Sequence, residues 1–120
     1  MFCHVLLGLL RDGTPRHGYD LVTEYRARSG NHVNPGNVYR ELVRLTKADF
    51  VQTSVNPPDA DPRRIPYQIT QRGCHEFDRW LVAPATQDEE LSGWLIFLDR
   101  LEPEMRDEFR SIVYGYMRGT

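Results

Sequence analysis

The sequence predicts a mainly α, α+β fold in which three helices precede a two-stranded β-hairpin and further helices follow it. Three observations lead to this fold class. Apolar residues recur at helical spacing up to residue 45, alternate with polar residues on both sides of a proline-rich loop at residues 56–62, and return to helical spacing after residue 70. Same-face residues lie three or four positions apart in a helix and two apart in a strand.

Two helices are predicted before residue 31. The first carries a stripe of apolar residues at helical spacing, made of Phe2, Val5, Leu6, Leu9 and Leu10. A turn cluster at residues 12–15 ends it. The second runs from about His17 to Ser29, and Gly30 ends it because glycine readily adopts the left-handed conformation found just past a helix.

A third helix is predicted over residues 34–48. Asn34 can cap its first turn, and Pro35 fits the first helical position, where a missing N–H group costs nothing. Its apolar stripe consists of Val38, Leu42 and Leu45. The opposite half carries Asn37, Arg40, Arg44 and Lys47, together with Val43. Cations and an amide on an outward face suit contacts with DNA phosphates and base edges, and a solvated surface is the alternative interpretation.

Two alternating runs, at residues 51–55 and 65–69, predict the hairpin. Pro66 in the second run indicates an edge strand, because proline has no N–H group to donate to a neighbouring strand. Arg63 and Arg64 follow the loop, where a hairpin wing would place basic contacts with DNA. Two aspartates in the same loop would repel phosphates, so ordinary surface charge stays open as the alternative.

The order of elements is that of a winged helix-turn-helix with a helical appendage. Thr70 can cap a fourth helix, whose apolar residues are Cys74, Phe77, Trp80 and Leu81. We therefore predict a DNA-binding domain at residues 1–82, a linker at 83–90 and a C-terminal helical dimerisation segment at 91–120. In such a fold the third helix enters the major groove of DNA, and the wing reaches the adjacent backbone or minor groove.

The C-terminal segment is apolar on nearly every face over residues 91–101. A helix of this kind must bury both sides, and a partner subunit is the simplest source of the second surface. The predicted homodimer interface consists of Leu91, Trp94, Leu95, Phe97, Leu98, Phe109, Ile112 and Tyr116.

The chain carries four short motifs in a fixed order, namely VLLGLL at residues 5–10, HGYDL at 17–21, NPGNVYRELVRL at 34–45 and RRIPYQITQRG at 63–73. In these motifs and their order the chain resembles the PadR family of bacterial regulators, up to about residue 81. Thr46 and Asp49 depart from the family, which usually has an acidic residue and a glycine at these positions. The resemblance implies dimerisation through C-terminal helices, repression of transcription, and a position for Tyr19 near the DNA backbone.

The resemblance also implies a small-molecule effector, since some PadR relatives bind aromatic or drug-like molecules near the dimer interface. The residues predicted to line such a pocket are Trp80, Trp94 and Phe97. Packing of these rings in the core or the interface is the alternative.

The predicted DNA-binding residues come from the second helix, the third helix and the wing. They are His17, Tyr19, Asn34, Gly36, Asn37, Tyr39, Arg40, Arg44, Lys47, Arg63 and Arg64. Arg40 and Asn37 are predicted to recognise bases, and the wing arginines to contact the backbone or minor groove. Structural roles stay open for His17, which can cap the second helix, and for Tyr39, which lies at the edge of the apolar stripe.

We therefore expect a sequence-specific transcriptional regulator, a repressor that binds a pseudo-palindromic operator on double-stranded DNA as a homodimer and is released by a small aromatic effector. The alternative is a winged-helix module that binds protein and not DNA. Its basis is the formal net charge of −2 and the acidic wing loop.

No enzyme, cofactor or metal site is predicted. The sequence has no glycine-rich phosphate loop and no HExxH or GxSxG motif. Cys3-His4 and Cys74-His75 would bring four metal ligands together if they met, but structural zinc sites usually use closely spaced pairs. The apolar run at residues 5–10 is too short to span a bilayer, so we expect no membrane partner and a cytoplasmic location.

Overall fold

The computed structural model describes residues 2–30, 32–56, 58, 64–83, 93–101, 103, 104, 106, 107 and 111. Its elements, in chain order, are α1 (Phe2–Leu9), β1 (Arg16–His17), α2 (Gly18–Ser29), α3 (Pro35–Lys47), β2 (Val51–Thr53), β3 (Pro66–Ile69), α4 (Gln71–Val82) and a 3₁₀ turn at Leu98–Arg100. The predicted mainly helical fold class with a hairpin wing is confirmed.

The helices begin and end where local chemistry predicts. Asn34 caps α3, and its Oδ1 accepts a hydrogen bond of 2.8 Å from the backbone N–H of Gly36. Thr70 caps α4 in the same way, with a bond of 3.0 Å from Gly73 N–H to its Oγ1. Gly30 ends α2 in the left-handed conformation, with φ of 71°. These caps satisfy backbone groups that the first and last turns leave unpaired.

Asp49 occupies the position at which the resemblance predicts a glycine, two residues past the end of α3. Its φ is +65°, a left-handed conformation that glycine adopts most readily and aspartate tolerates better than most residues. The carbonyl of Asp49 also accepts a hydrogen bond of 2.7 Å from the Thr70 hydroxyl, which joins the exit of α3 to the start of α4.

The sheet has three antiparallel strands in the order β1-β3-β2. Val51 of β2 pairs with Ile69, and Arg16 of β1 pairs with Tyr67. The predicted edge position for β3 is therefore wrong, because a two-residue strand that the sequence did not indicate pairs on its other side. Pro66 is tolerated there as the first residue of β3, and its carbonyl still accepts a bond of 2.9 Å from Ser54 N–H.

One hydrophobic core joins the helices to the sheet, and α1 lies at its centre. Its residues Val5 to Leu9 are all buried, including Leu7, which falls outside the predicted apolar stripe. Val38, Leu42 and Leu45 of α3 are buried as predicted. The helix α1 therefore has no face that is fully solvated along its length, and α2, α3 and α4 pack around it.

Part of the predicted C-terminal interface belongs to this same core. Residues 93–96 are helical, a turn follows at Phe97, and Leu101 is extended, so the described part of residues 91–101 is not one continuous helix. Trp94 is 3% exposed and Phe97 0% exposed within the single chain. The expectation that these two side chains need a partner subunit for burial is wrong, because α1 and α4 already cover them.

The other predicted interface residues divide into two groups. Leu95 is exposed and Leu98 is partly buried, so both keep surface that a partner subunit can cover. Leu91, Phe109, Ile112 and Tyr116 lie outside the described residues, as does most of the predicted linker at 83–90. The domain division and the dimer interface stay predictions. The described part of the chain contains no helix with the length and the hydropathy of a membrane span.

Candidate DNA-binding surface

The exposed face of α3 carries the polar residues that the sequence places opposite its buried stripe. At about 100° per residue, Arg40 and Lys47 lie within roughly 20° of one another and directly away from the core. Both are exposed, as are Asn37, Arg44 and the glycine at the start of the helix, Gly36. The predicted outward orientation of this face is confirmed.

Asn37 and Arg40, the two residues predicted to recognise bases, form a pair on the first turns of α3. A terminal nitrogen of the Arg40 guanidinium donates a hydrogen bond to Asn37 Oδ1. Both residues are exposed, so the amide nitrogen of Asn37 and the guanidinium N–H groups outside this bond stay accessible as donors. The pair therefore presents several donors held in a defined relation, which is the chemistry that guanine and adenine edges accept in a major groove.

Arg44 forms an ion pair with an acidic residue of its own helix, a pairing that its predicted role did not include. Its Nη1 lies 3.2 Å from Glu41 Oε2, one turn earlier on α3. The Arg44 side chain is 77% exposed, so this ion pair contributes little to stability and exchanges easily for a phosphate. The spacing of three residues between Glu41 and Arg44 is the signal from which the pair could have been found.

Tyr39 packs against the fold and is also partly exposed, so both the structural role and the DNA contact considered for it stay open. Its ring lies against Gly18, where an added Cβ would stand 2.4 Å from a ring carbon. The side chain is nevertheless 46% exposed. Glycine at position 18 thus allows Tyr39 to join α3 to the beginning of α2 while part of the ring stays accessible.

A cavity of about 90 Å³ brings three separate parts of the chain together at this junction. We call it the tyrosine cavity, and its lining residues are His17, Gly18, Tyr19, Tyr39, Arg64, Ile65 and Tyr67. It therefore unites predicted DNA-binding residues from the start of α2, from α3 and from the wing. The Arg64 guanidinium is the cationic side chain among these lining residues, and no carboxylate is among them.

Tyr67 is a functional candidate that sequence reasoning missed, because its place in the alternating run suggested only a strand residue. Burial raises the pKa of its hydroxyl, and the neighbouring Tyr39 raises it further. Tyr67 is therefore a neutral hydrogen-bond donor at neutral pH. Its pairing opposite both Arg16 and Thr53 in the central strand places it beside the tyrosine cavity.

His17 occupies the N-cap position of α2, but its side chain makes no capping hydrogen bond. The alternative that this imidazole caps the second helix is therefore wrong. Its Nδ1 is buried and has no hydrogen-bond partner among the described residues. His17 instead ends β1 and lines the tyrosine cavity, so its position depends on a strand that the sequence did not predict.

The wing is described only in part. Arg64 is exposed, and its carbonyl accepts a hydrogen bond of 2.7 Å from the amide of Asn56, which closes the base of the loop. Arg63 and the two aspartates of the loop lie outside the described residues. The predicted contacts at the tip of the wing stay predictions.

The three rings predicted to line an effector pocket pack against one another. Trp80 contacts Trp94 and Phe97 edge-to-face, with ring centroids 6.0 Å and 6.5 Å apart, so the three rings fill the space beside one another. Core packing thus accounts for their positions, and an effector at these rings stays a prediction.

A wider groove of about 450 Å³ lies along α3, lined by Phe2, Tyr25, Val33, Asn37, Arg40, Glu41 and Arg44.

The two Cys-His pairs do not form a metal site in the part of the chain that the structure describes, where no three potential ligands are placed to hold an ion. His4 Nε2 instead lies 3.2 Å from Glu76 Oε1, and its ring stacks on Trp80. Burial lowers the pKa of His4, against the opposing effect of Glu76. His4 is therefore a packing residue between α1 and α4.

Comparison with known proteins places these features in a family. The model of the transcriptional regulator PadR-like family matches residues 6–79. Bacillus subtilis PadR in complex with operator DNA is 26% identical, with a TM-score of 0.60 over 73% of this chain and 50% of that chain. The chain therefore spans about half the length of that protein. No curated protein matches the chain.

Two further structures share the fold at lower identity. RosR of H. salinarum is 22% identical, with a TM-score of 0.58 over 99% of this chain and 94% of that chain. A PadR-like regulator of Bacillus cereus is 22% identical, with a TM-score of 0.57 over 65% of this chain and 75% of that chain. The family model covers more than half of the residues of this chain, and the chain therefore belongs to the PadR-like family of transcriptional regulators.

Proposed function

We propose that this protein is a transcriptional regulator that binds double-stranded DNA with sequence specificity. The observation that carries the proposal is the continuity of the exposed face of α3 with the tyrosine cavity and the base of the wing. A helix with an outward cationic face can enter a major groove, and a basic wing beside it can hold the adjacent backbone. The related PadR structure in complex with operator DNA supports this interpretation.

The surface divides into two kinds of contact. Arg40 and Asn37, near the N-terminal end of α3, are the proposed base contacts, because arginine and asparagine pair with guanine and adenine edges. Arg44 and Lys47 lie further along the helix and are proposed phosphate contacts. The cavity, with Arg64 and the neutral hydroxyl of Tyr67, is proposed to hold one phosphate between α3 and the wing, which would fix the orientation of the helix in the groove.

We further propose that the protein acts as a homodimer in the cytoplasm. Leu95 and Leu98 retain accessible apolar surface in the single chain, and a second copy would cover them. Two-fold symmetry would match a pseudo-palindromic operator and double the number of phosphate contacts. Repression would follow where such an operator overlaps a promoter, and a small aromatic effector would release the protein. No enzymatic activity is proposed.

Selection from a random duplex library tests the function directly. The full-length protein should enrich related duplexes, and its affinity for them should fall steeply as salt rises, because bound phosphates release counterions. Arg64→Ala should reduce the salt slope by about one unit per subunit, hence by about two units for a bound dimer, on all duplexes. Arg79→Ala is the matched control, since Arg79 is exposed on α4 and paired with Glu76.

The alternative is a protein-binding winged helix, whose basis is the net charge of −2. Failure to enrich any duplex, together with affinity for DNA that does not depend on salt, would favour it. Sedimentation of the intact protein tests the dimer separately, and a mass equal to the 14.0 kDa monomer at tens of micromolar would contradict it.

A further inference from the structure

Val43 is an exposed apolar residue on one flank of the outward face of α3. It is 49% exposed, whereas the three residues of the apolar stripe of this helix are buried. By helical geometry it lies about 40° from Lys47 and about 60° from Arg40 around the helix axis. A single exposed valine is ordinary on a protein surface, but this one lies among the side chains proposed to face the DNA.

The fold gives no reason for a valine at this position. Val43 does not belong to the core cluster, and valine is a poorer helix former than the long polar side chains beside it. Tyr39, one turn earlier and about 40° away around the axis, is the other partly exposed apolar side chain on this flank. Together the two form a small apolar strip between the cations of α3 and the tyrosine cavity.

We propose that Val43 contacts the 5-methyl group of a pyrimidine in the major groove and thereby contributes to sequence recognition. The inference rests on the proposed function, since it requires α3 in the groove. The 5-methyl group is the apolar group that a base edge presents there, and thymine carries it whereas unmodified cytosine does not. Valine has no hydrogen-bonding group, so it discriminates by this methyl group alone. 5-Methylcytosine offers the same methyl group from a second source.

Removing single methyl groups from the DNA tests the proposal. In a duplex enriched by the full-length protein, each thymine is replaced by uracil in turn, which deletes one methyl group and keeps every hydrogen-bonding group. One position per half-site should lose about fourfold in affinity, the effect expected for burial of one methyl-sized group. Val43→Ala removes the two Cγ methyl groups proposed to reach the base, in both subunits. It should therefore bind the thymine duplex as weakly as the unmodified protein binds a duplex with uracil at that position of both half-sites, and its affinity should not change on the replacement.

Val82→Ala is the matched control, because Val82 is also 49% exposed but lies at the end of α4. The affinity of Val82→Ala for DNA should depend on the methyl group as strongly as that of the unmodified protein. Replacing cytosines by 5-methylcytosine in a parallel series identifies the second source, if affinity rises at one position for the unmodified protein and not for Val43→Ala. Either dependence supports the proposal.

Different results would contradict the proposed function and the Val43 contact. If the protein enriches related duplexes but no methyl substitution changes its affinity, or if Val43→Ala shows the same dependence as the unmodified protein, Val43 does not contact a methyl group and DNA binding stands. If no duplex is enriched, both the proposed function and this inference are wrong.

Discussion

A methyl group added at position 18 tests whether Tyr39 holds α3 against the start of α2. A Cβ on Gly18 would lie 2.4 Å from one carbon of the Tyr39 ring and 2.8 Å from another. Carbon atoms in contact are about 3.5–4.0 Å apart, so the ring must retreat by at least about 1 Å. Such overpacking costs about 1–3 kcal/mol, and the lower backbone entropy of unfolded alanine offsets about 0.4–1 kcal/mol. We therefore expect Gly18→Ala to lower the free energy of unfolding by about 1–2 kcal/mol.

Urea denaturation measures this loss, and the affinity for an enriched duplex should fall in parallel because Tyr39 is a wall of the tyrosine cavity. Gly36→Ala is the comparison for stability. An added Cβ there meets only Asn34 Oδ1, the oxygen that caps α3, at 3.2 Å, so a small adjustment suffices and the loss should be smaller than for Gly18→Ala. Tyr39→Ala in the Gly18→Ala background removes the obstructing ring. The double variant should therefore lose less free energy of unfolding than the sum of the losses of the two single variants. Wild-type stability for Gly18→Ala, or full additivity with Tyr39→Ala, would refute the reasoning.

Three further predictions concern DNA recognition, the C-terminal segment and the exit of α3. Arg40→Ala should reduce the binding free energy by about 1–3 kcal/mol on an enriched duplex and by little on random DNA, whereas Lys47→Ala should weaken binding to both alike. Titrations of both duplexes at one salt concentration measure this, and an unchanged ratio of the two affinities for Arg40→Ala would contradict its role in base recognition. Phe97→Ala should lower the free energy of unfolding by about 3–5 kcal/mol, because the ring fills the core of its own chain. The loss should not depend on protein concentration, and a loss that disappears at high concentration would instead indicate an intersubunit role. Asp49→Gly should stabilise the protein by up to about 1 kcal/mol in urea denaturation by relieving its left-handed conformation, and a destabilised variant would show that the aspartate side chain is required there.

The helices and their faces could be predicted from the sequence because their causes are local. The cap at Asn34 and the left-handed glycine at position 30 each act on backbone groups within four residues. The separation of the buried stripe of α3 from its cationic face follows from the helical period. The candidate residues Asn37 and Arg40 were therefore identified, and their direct hydrogen bond is a consequence of their spacing of three.

The sheet and the tyrosine cavity could be predicted only in part. A two-residue strand such as β1 has no measurable period, so only its pairing with β3 defines it. The cavity joins Tyr39 and Tyr67, which are far apart in the sequence and are brought together by the packing of α3 beside the sheet. Tyr67 was consequently missed, and the lack of a capping bond at His17 could not be anticipated.

The sequence by itself determined that Trp94 and Phe97 must be buried, since their side chains are large and apolar. It did not determine which surface buries them. In the tertiary structure the Phe97 ring packs on Phe77, with centroids 5.2 Å apart, and occupies the space beside Gly8 that a Cβ would fill. The hydrophobic effect is non-directional, so an apolar residue can be covered equally by its own chain or by a partner. Only the arrangement of α1 and α4 around the space beside Gly8 decided that the chain itself, and not a partner subunit, covers these two rings.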